Sequence, residues 1–155
     1  MSKLLTLFLF ASLFLLTGCW SSGDAKDTKS RSDAFAEVLG FAAPASVVEI
    51  KSHWYFLRDA YIRWLRFSCD EPTLSKIRGL KGAKTSAIQP VPAAPGDSGP
   101  DRNPNAPDWW TKAVVSPQGL DMLEIDAGRT NEADVVHIWI DKKTRTVYAT
   151  RSVWH

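Results

Sequence analysis

His53, His137, His155 and Cys69 are the residues past the apolar N-terminus best suited to metal or nucleophile chemistry. No two of the histidines stand two, three or four residues apart, the spacings that put paired ligands on one strand or helix face. No metal site and no cofactor are therefore expected. Cys69 with His53 or His137 would make a thiol nucleophile and its base. The run Phe67-Ser68-Cys69-Asp70 matches no cysteine-hydrolase signature, and its shared parity with Leu65 and Phe67 predicts a buried, inert thiol. No serine sits in a Gly-x-Ser-x-Gly elbow, and Gly79, Gly82, Gly96 and Gly99 lack the spacing of a phosphate-binding loop. Glu124, Asp126, Glu132, Asp134 and Asp141 fall on or near predicted strands. Two of them facing one another would supply a glycosidase-like acid and base. No catalytic set is convincing.

Aromatic side chains are the compositional excess, with seven tryptophans in the chain. Trp faces stack on sugar rings and anchor protein interfaces. Trp54, Trp139 and Trp154 read as core. The adjacent Trp109 and Trp110 follow a proline-rich stretch and cannot both point inward from a strand, so they are the candidate binding residues.

The N-terminus supplies an address. Met1-Ser2-Lys3 carries one positive charge, and Leu4 to Leu16 is apolar except for Thr6 and Ser12. That run has the length of a signal h-region and is short for a bilayer span. It ends in Leu16-Thr17-Gly18-Cys19, which resembles the lipobox of bacterial lipoproteins at all four positions. The resemblance covers Met1 to Cys19 only. It implies cleavage before Cys19, lipidation of that thiol and attachment to a membrane outside the cytoplasm. Each buried methylene of such an anchor adds roughly 0.8 kcal/mol. Trp20 stands where an aspartate commonly retains Gram-negative lipoproteins in the inner membrane, so the resemblance favours the outer membrane where there is one. With Cys19 consumed by lipid, Cys69 has no intrachain disulfide partner.

Several elements must position these groups. Residues 19–33 are small, polar and charged, and read as a flexible lipidated tether after a signal peptide at 1–18. A single domain is expected over 34–155. Asp33 would cap a short helix from Ala34 to Leu39, stopped by Gly40. Val48, Ile50, Trp54 and Phe56 alternate with Glu49, Lys51 and His53, which favours a strand. Tyr61 to Cys69 would be its hairpin partner. A helical stripe of Trp54, Leu57, Tyr61, Trp64 and Leu65 competes with that reading. Asp70 and Pro72 open a helix that Gly79 or Gly82 ends. Residues 81–107, with six prolines from Pro90 to Pro107, read as a long loop. A strand is expected around Met122 to Ile125. A hairpin follows, with arms Asp134–Asp141 and Thr146–Val153 across Lys142 to Arg145. The sum is an α+β, two-layer domain, with an antiparallel sheet of about five strands and one or two short helices on one face.

The formal net charge of +2 is too small to attract nucleic acid. The anchor, tether and Trp pair point to a non-enzymatic binding or assembly module of the cell envelope. Its partners would be the membrane through Cys19 and an envelope protein or peptidoglycan. The alternatives are an enzyme or sugar binder acting on wall glycan or peptide, and an inhibitor or immunity-type protein against an exported hydrolase.

Overall fold

A computed structural model describes residues 20–86, 105–111, 120–126 and 133–154. Its elements are β1 (Trp20–Asp24), α1 (Thr28–Leu39), β2 (Val48–Leu57), β3 (Ala60–Ser68), α2 (Glu71–Arg78), β4 (Ala83–Ser86), α3 (Asp108–Thr111), β5 (Leu120–Asp126), β6 (Ala133–Asp141) and β7 (Thr146–Trp154). The strands form one seven-stranded sheet in the order β1-β2-β3-β7-β6-β5-β4, antiparallel at every pairing. Two meanders thus meet at the β3–β7 pair. The fold is α+β as expected, with two more strands than the sequence suggested.

Both additional strands are edges with weak signals. β4 is Ala83-Lys84-Thr85-Ser86, too short and polar to alternate, and it pairs with β5 through Ala83↔Ile125 to Ser86↔Met122. It takes over the start of the stretch read as a loop over 81–107, of which residues 87–104 lie outside the described residues. β1 corrects the tether. Trp20 to Asp24 pairs along β2 from Trp20↔Leu57 to Asp24↔His53, so part of the stretch read as a flexible tether is a sheet strand. Composition misled because an edge strand needs backbone pairing more than apolar side chains. Gly23 is closely approached there: a Cβ at this position would lie 3.1–3.2 Å from the Trp54 indole, which would have to give by a few tenths of an ångström.

α1 also begins earlier than expected. Asp27, not Asp33, is the N-cap: its Oδ1 accepts from the Ser30 N–H at 2.8 Å, while Ser30 Oγ accepts from the Asp27 N–H. The first half of the helix is solvated. Only Ala34, Phe35, Val38 and Leu39 are buried, so apolar periodicity is visible only from residue 34. Gly40 at φ 76° closes the helix in the left-handed region. α2 follows the sequence closely. Asp70 caps it through Thr73 N–H, Pro72 sits in its first turn, and Leu74 and Ile77 are buried.

The hairpin reading of residues 53–68 is correct, with Leu57↔Ala60 closing over Arg58 and Asp59. Glu49, at φ 55°, marks a register shift between Val48 and Lys51. In the β6–β7 loop, Asp141 accepts from the N–H groups of Lys143 and Thr144 and from the Thr144 hydroxyl.

The main core lies between the sheet and the pair α1 and α2. Leu65, Phe67, Ile138, Ile140, Val147 and Ala149 face Phe35, Val38, Leu39, Leu74 and Ile77, all buried. Phe35 packs edge-on to Phe67 with ring centres 4.9 Å apart. Arg63, which breaks the apolar parity of β3, is accommodated by Glu37 of α1 at 3.1 Å. Arg151 of β7 makes a two-pronged pair with Asp134 at 2.9 and 2.6 Å and donates to the Glu37 carbonyl at 2.8 Å. Among the described residues no helix is long and apolar enough to cross a membrane.

Candidate functional site

Directly opposed residues in an antiparallel sheet project from the same face. The register therefore orders the face away from α1 and α2 into rungs. One rung reads Asp24, His53, Trp64, Thr150, His137, Glu124 across six strands. A neighbouring rung reads Lys51, Arg66, Tyr148, Trp139, Met122. This second face is aromatic and polar where the first is aliphatic.

α3 lies on it. The Trp110 N–H donates to the Pro107 carbonyl at 2.8 Å, a tight turn that aims the indole at the sheet. Trp110 is 0 % exposed, edge-on to Trp139 and Tyr148 at ring-centre distances of 5.7 and 5.9 Å. Trp64 and Tyr55 complete this smaller core. Trp109 packs at its margin, 6.3 Å from Trp110. The two candidate binding residues thus divide: Trp109 is half-buried at the margin, whereas Trp110 is an internal anchor with no surface to offer. A helix, unlike the strand assumed from the sequence, lets adjacent side chains turn toward one support. The expectation that Trp154 is core is also corrected, since it is 52 % exposed.

Around the anchor stand polar groups held in pairs. His53 Nδ1 meets Asp24 Oδ1 at 2.7 Å, and His137 Nε2 meets Glu124 Oε2 at 3.5 Å. The first imidazole is held by a hydrogen bond to its carboxylate, and the second has a carboxylate at a looser distance. They are three strand spacings apart, roughly 14 Å, too far to share one ion or one reacting atom. The Arg66 guanidinium lies over the Tyr148 ring at 5.8 Å, and its buried Nε has no hydrogen-bond partner among the described residues.

Among the described residues the chemistry weighed from sequence is not assembled. Cys69 sits in the main core, on the face opposite His53 and His137. Burial pushes its thiol up to about 11, with Asp70 and Glu71 adding to the shift. That is an unreactive thiol. The carboxylates scatter: Asp134 is turned to the helix-covered face by Arg151, Glu124 projects from the aromatic face, and Asp141 belongs to a loop at the sheet end. Asp126 and Glu132 have side chains outside the described residues, as do His155 and Cys19. Asp27, Asp70 and Asp141 are all held below the ordinary carboxyl value, chiefly by hydrogen bonds from Ser30, Thr73 and Thr144 respectively. Low values suit capping rather than proton donation.

A shallow groove of about 380 Å³ runs between α1 and the β1–β2 edge, lined by Asp24, Asp27, Asp33, Glu37, Trp54 and Arg63 among others. Arg63 and Tyr61 already engage Glu37 there, and burial and that carboxylate push the Tyr61 hydroxyl up to about 12. Among the described residues no three His, Cys, Asp or Glu side chains are grouped to hold a metal. Compared with known proteins, the chain matches no family model, no curated protein and no solved structure.

Proposed function

We propose that this is a lipid-anchored envelope protein, attached through Cys19, that works as a non-enzymatic binding or assembly module. The aromatic face of the sheet is its contact surface. The observation that carries the reading is the composition of that face. Half-buried Trp109, Trp139 and Tyr148 surround a buried Trp110, with His137, Glu124 and Arg66 beside them. Rigid aromatic rings with a few fixed polar groups are what interface hot spots are made of. The same rings beside Glu124 favour peptidoglycan sugar as the second candidate partner over a loop-driven inhibitor. The lipobox supports an envelope location, and Trp20 after the cysteine favours an outer membrane where one exists.

The test is cross-linked capture of the lipidated protein from its native membranes, with binding to isolated peptidoglycan measured in parallel. Trp109→Ser and His137→Ser change the proposed surface and leave Trp110 in place. Arg31→Ala, on the solvated part of α1, is the control. A partner or glycan retained by the control and lost with the face variants supports the reading. Equal capture by all forms overturns the assignment of the surface.

A further inference from the structure

The rung at one end of the aromatic face is apolar and leads directly to the lipidation position. In register across the sheet stand Trp20, Leu57, Ala60, Trp154 and Ala133. Leu57 and Trp154 are 41 % and 52 % exposed, two of the three large apolar side chains so exposed among the described residues. Trp20 is the first residue of β1, locked to β2 by pairing over its whole length. A trans peptide puts the Cα of Cys19 about 3.8 Å from that of Trp20. The lipidation position is thus one residue from the paired strand.

We infer that this end of the sheet is a membrane-docking surface, with Leu57 and Trp154 seated in the lipid interface beside the anchor. The inference rests on lipidation of Cys19. Trp favours the interfacial layer, where its ring is apolar and its N–H still finds a partner, and Leu favours the layer just beneath. Among the described residues the charges of the adjoining β2–β3 turn, Arg58 and Asp59, are of opposite sign, which fits an apolar contact rather than a response to anionic lipid. The strands then rise away from the bilayer. The β6–β7 loop at Lys142 to Arg145 stands at the far end, roughly 30 Å off at the usual rise per residue. The aromatic face is held upright with one end on the lipid and the other open to the envelope space.

The experiment uses the full lipidated protein reconstituted into phosphatidylcholine–phosphatidylglycerol vesicles, on a Cys69→Ala background. An environment-sensitive fluorophore is attached through Leu57→Cys or, separately, Lys143→Cys, and quenched by lipid carrying bromine on the acyl chain. Near-UV circular dichroism confirms that both labelled proteins keep the parent fold. The expected result is quenching several-fold greater at position 57 than at 143, reduced when Trp154→Ser is added. Mass spectrometry of the same samples separates the two premises. Protein uncut or without acyl chains at Cys19 overturns the anchor and this inference with it. Lipidated protein with equal, weak quenching at both positions overturns the docking surface alone. A label at 57 that shifts with protein concentration and not with lipid identifies a second copy as the occupant, and overturns membrane docking.

Discussion

The two faces of this sheet are built from the same strands and do different work. One is aliphatic, covered by α1 and α2, and its polar groups close on one another: Arg63 with Glu37, and Arg151 with Asp134. The other is aromatic, and among the described residues it is covered by a single turn of helix carrying Trp110, with His53, His137 and Arg66 left at its margins. Alternation along a strand makes such a division possible, because neighbouring residues are sorted to opposite sides. Among the described residues the face with the thicker cover holds the larger core, and the face with the thinner cover leaves half-buried aromatic rings, the surface proposed for contact.

This contrast can be broken or sharpened by mutation. The largest effect is expected from Phe67→Ala, which empties the centre of the aliphatic core and should lower unfolding free energy by about 3–5 kcal/mol in urea titrations. Trp110→Ala should cost somewhat less, about 3 kcal/mol. Its indole is as buried as Phe67, but a four-residue helix can settle into the gap more readily than a sheet sandwiched by two helices. A cost equal to that of Trp109→Ala would show that the second face has no core of its own. Asp134→Ala leaves Arg151 partly buried without its carboxylate and should cost about 2 kcal/mol by the same titration.

Acid should act mildly and on the capping network. Asp27, Asp70 and Asp141 have folded values below the unfolded carboxyl value of 3.8. Each therefore favours the folded state when ionised. That contribution is fully present well above pH 3.8 and is lost as pH falls through the lower folded values. Urea midpoints measured from pH 6 downward should decline in that range, and Asp70→Asn should flatten the decline.

Elements with their own local chemistry were legible in the sequence. Asp70, Pro72 and Gly79 bracket α2, and Val136, Ile138 and Ile140 announce the buried parity of β6. Both edge strands were not. Ala83–Ser86 and Trp20–Asp24 contribute backbone bonds, and pairing across long separations leaves no periodicity to read. Trp109 and Trp110 were conspicuous as a pair, but which ring is buried depends on the turn at Pro107. The rung of paired histidines and carboxylates joins positions 24, 53, 124 and 137, and only the strand order brings them into line.

The place of β7 imposes a timetable. It is the last strand described in the chain, yet it lies near the middle of the sheet, between β3 and β6. Until residue 154 is free to pair, the two meanders are separate pieces, each with a bare edge where the other belongs. Contacts of such long sequence separation form late and slowly. A chain of this topology must be shielded from other strands until the seam between β3 and β7 closes.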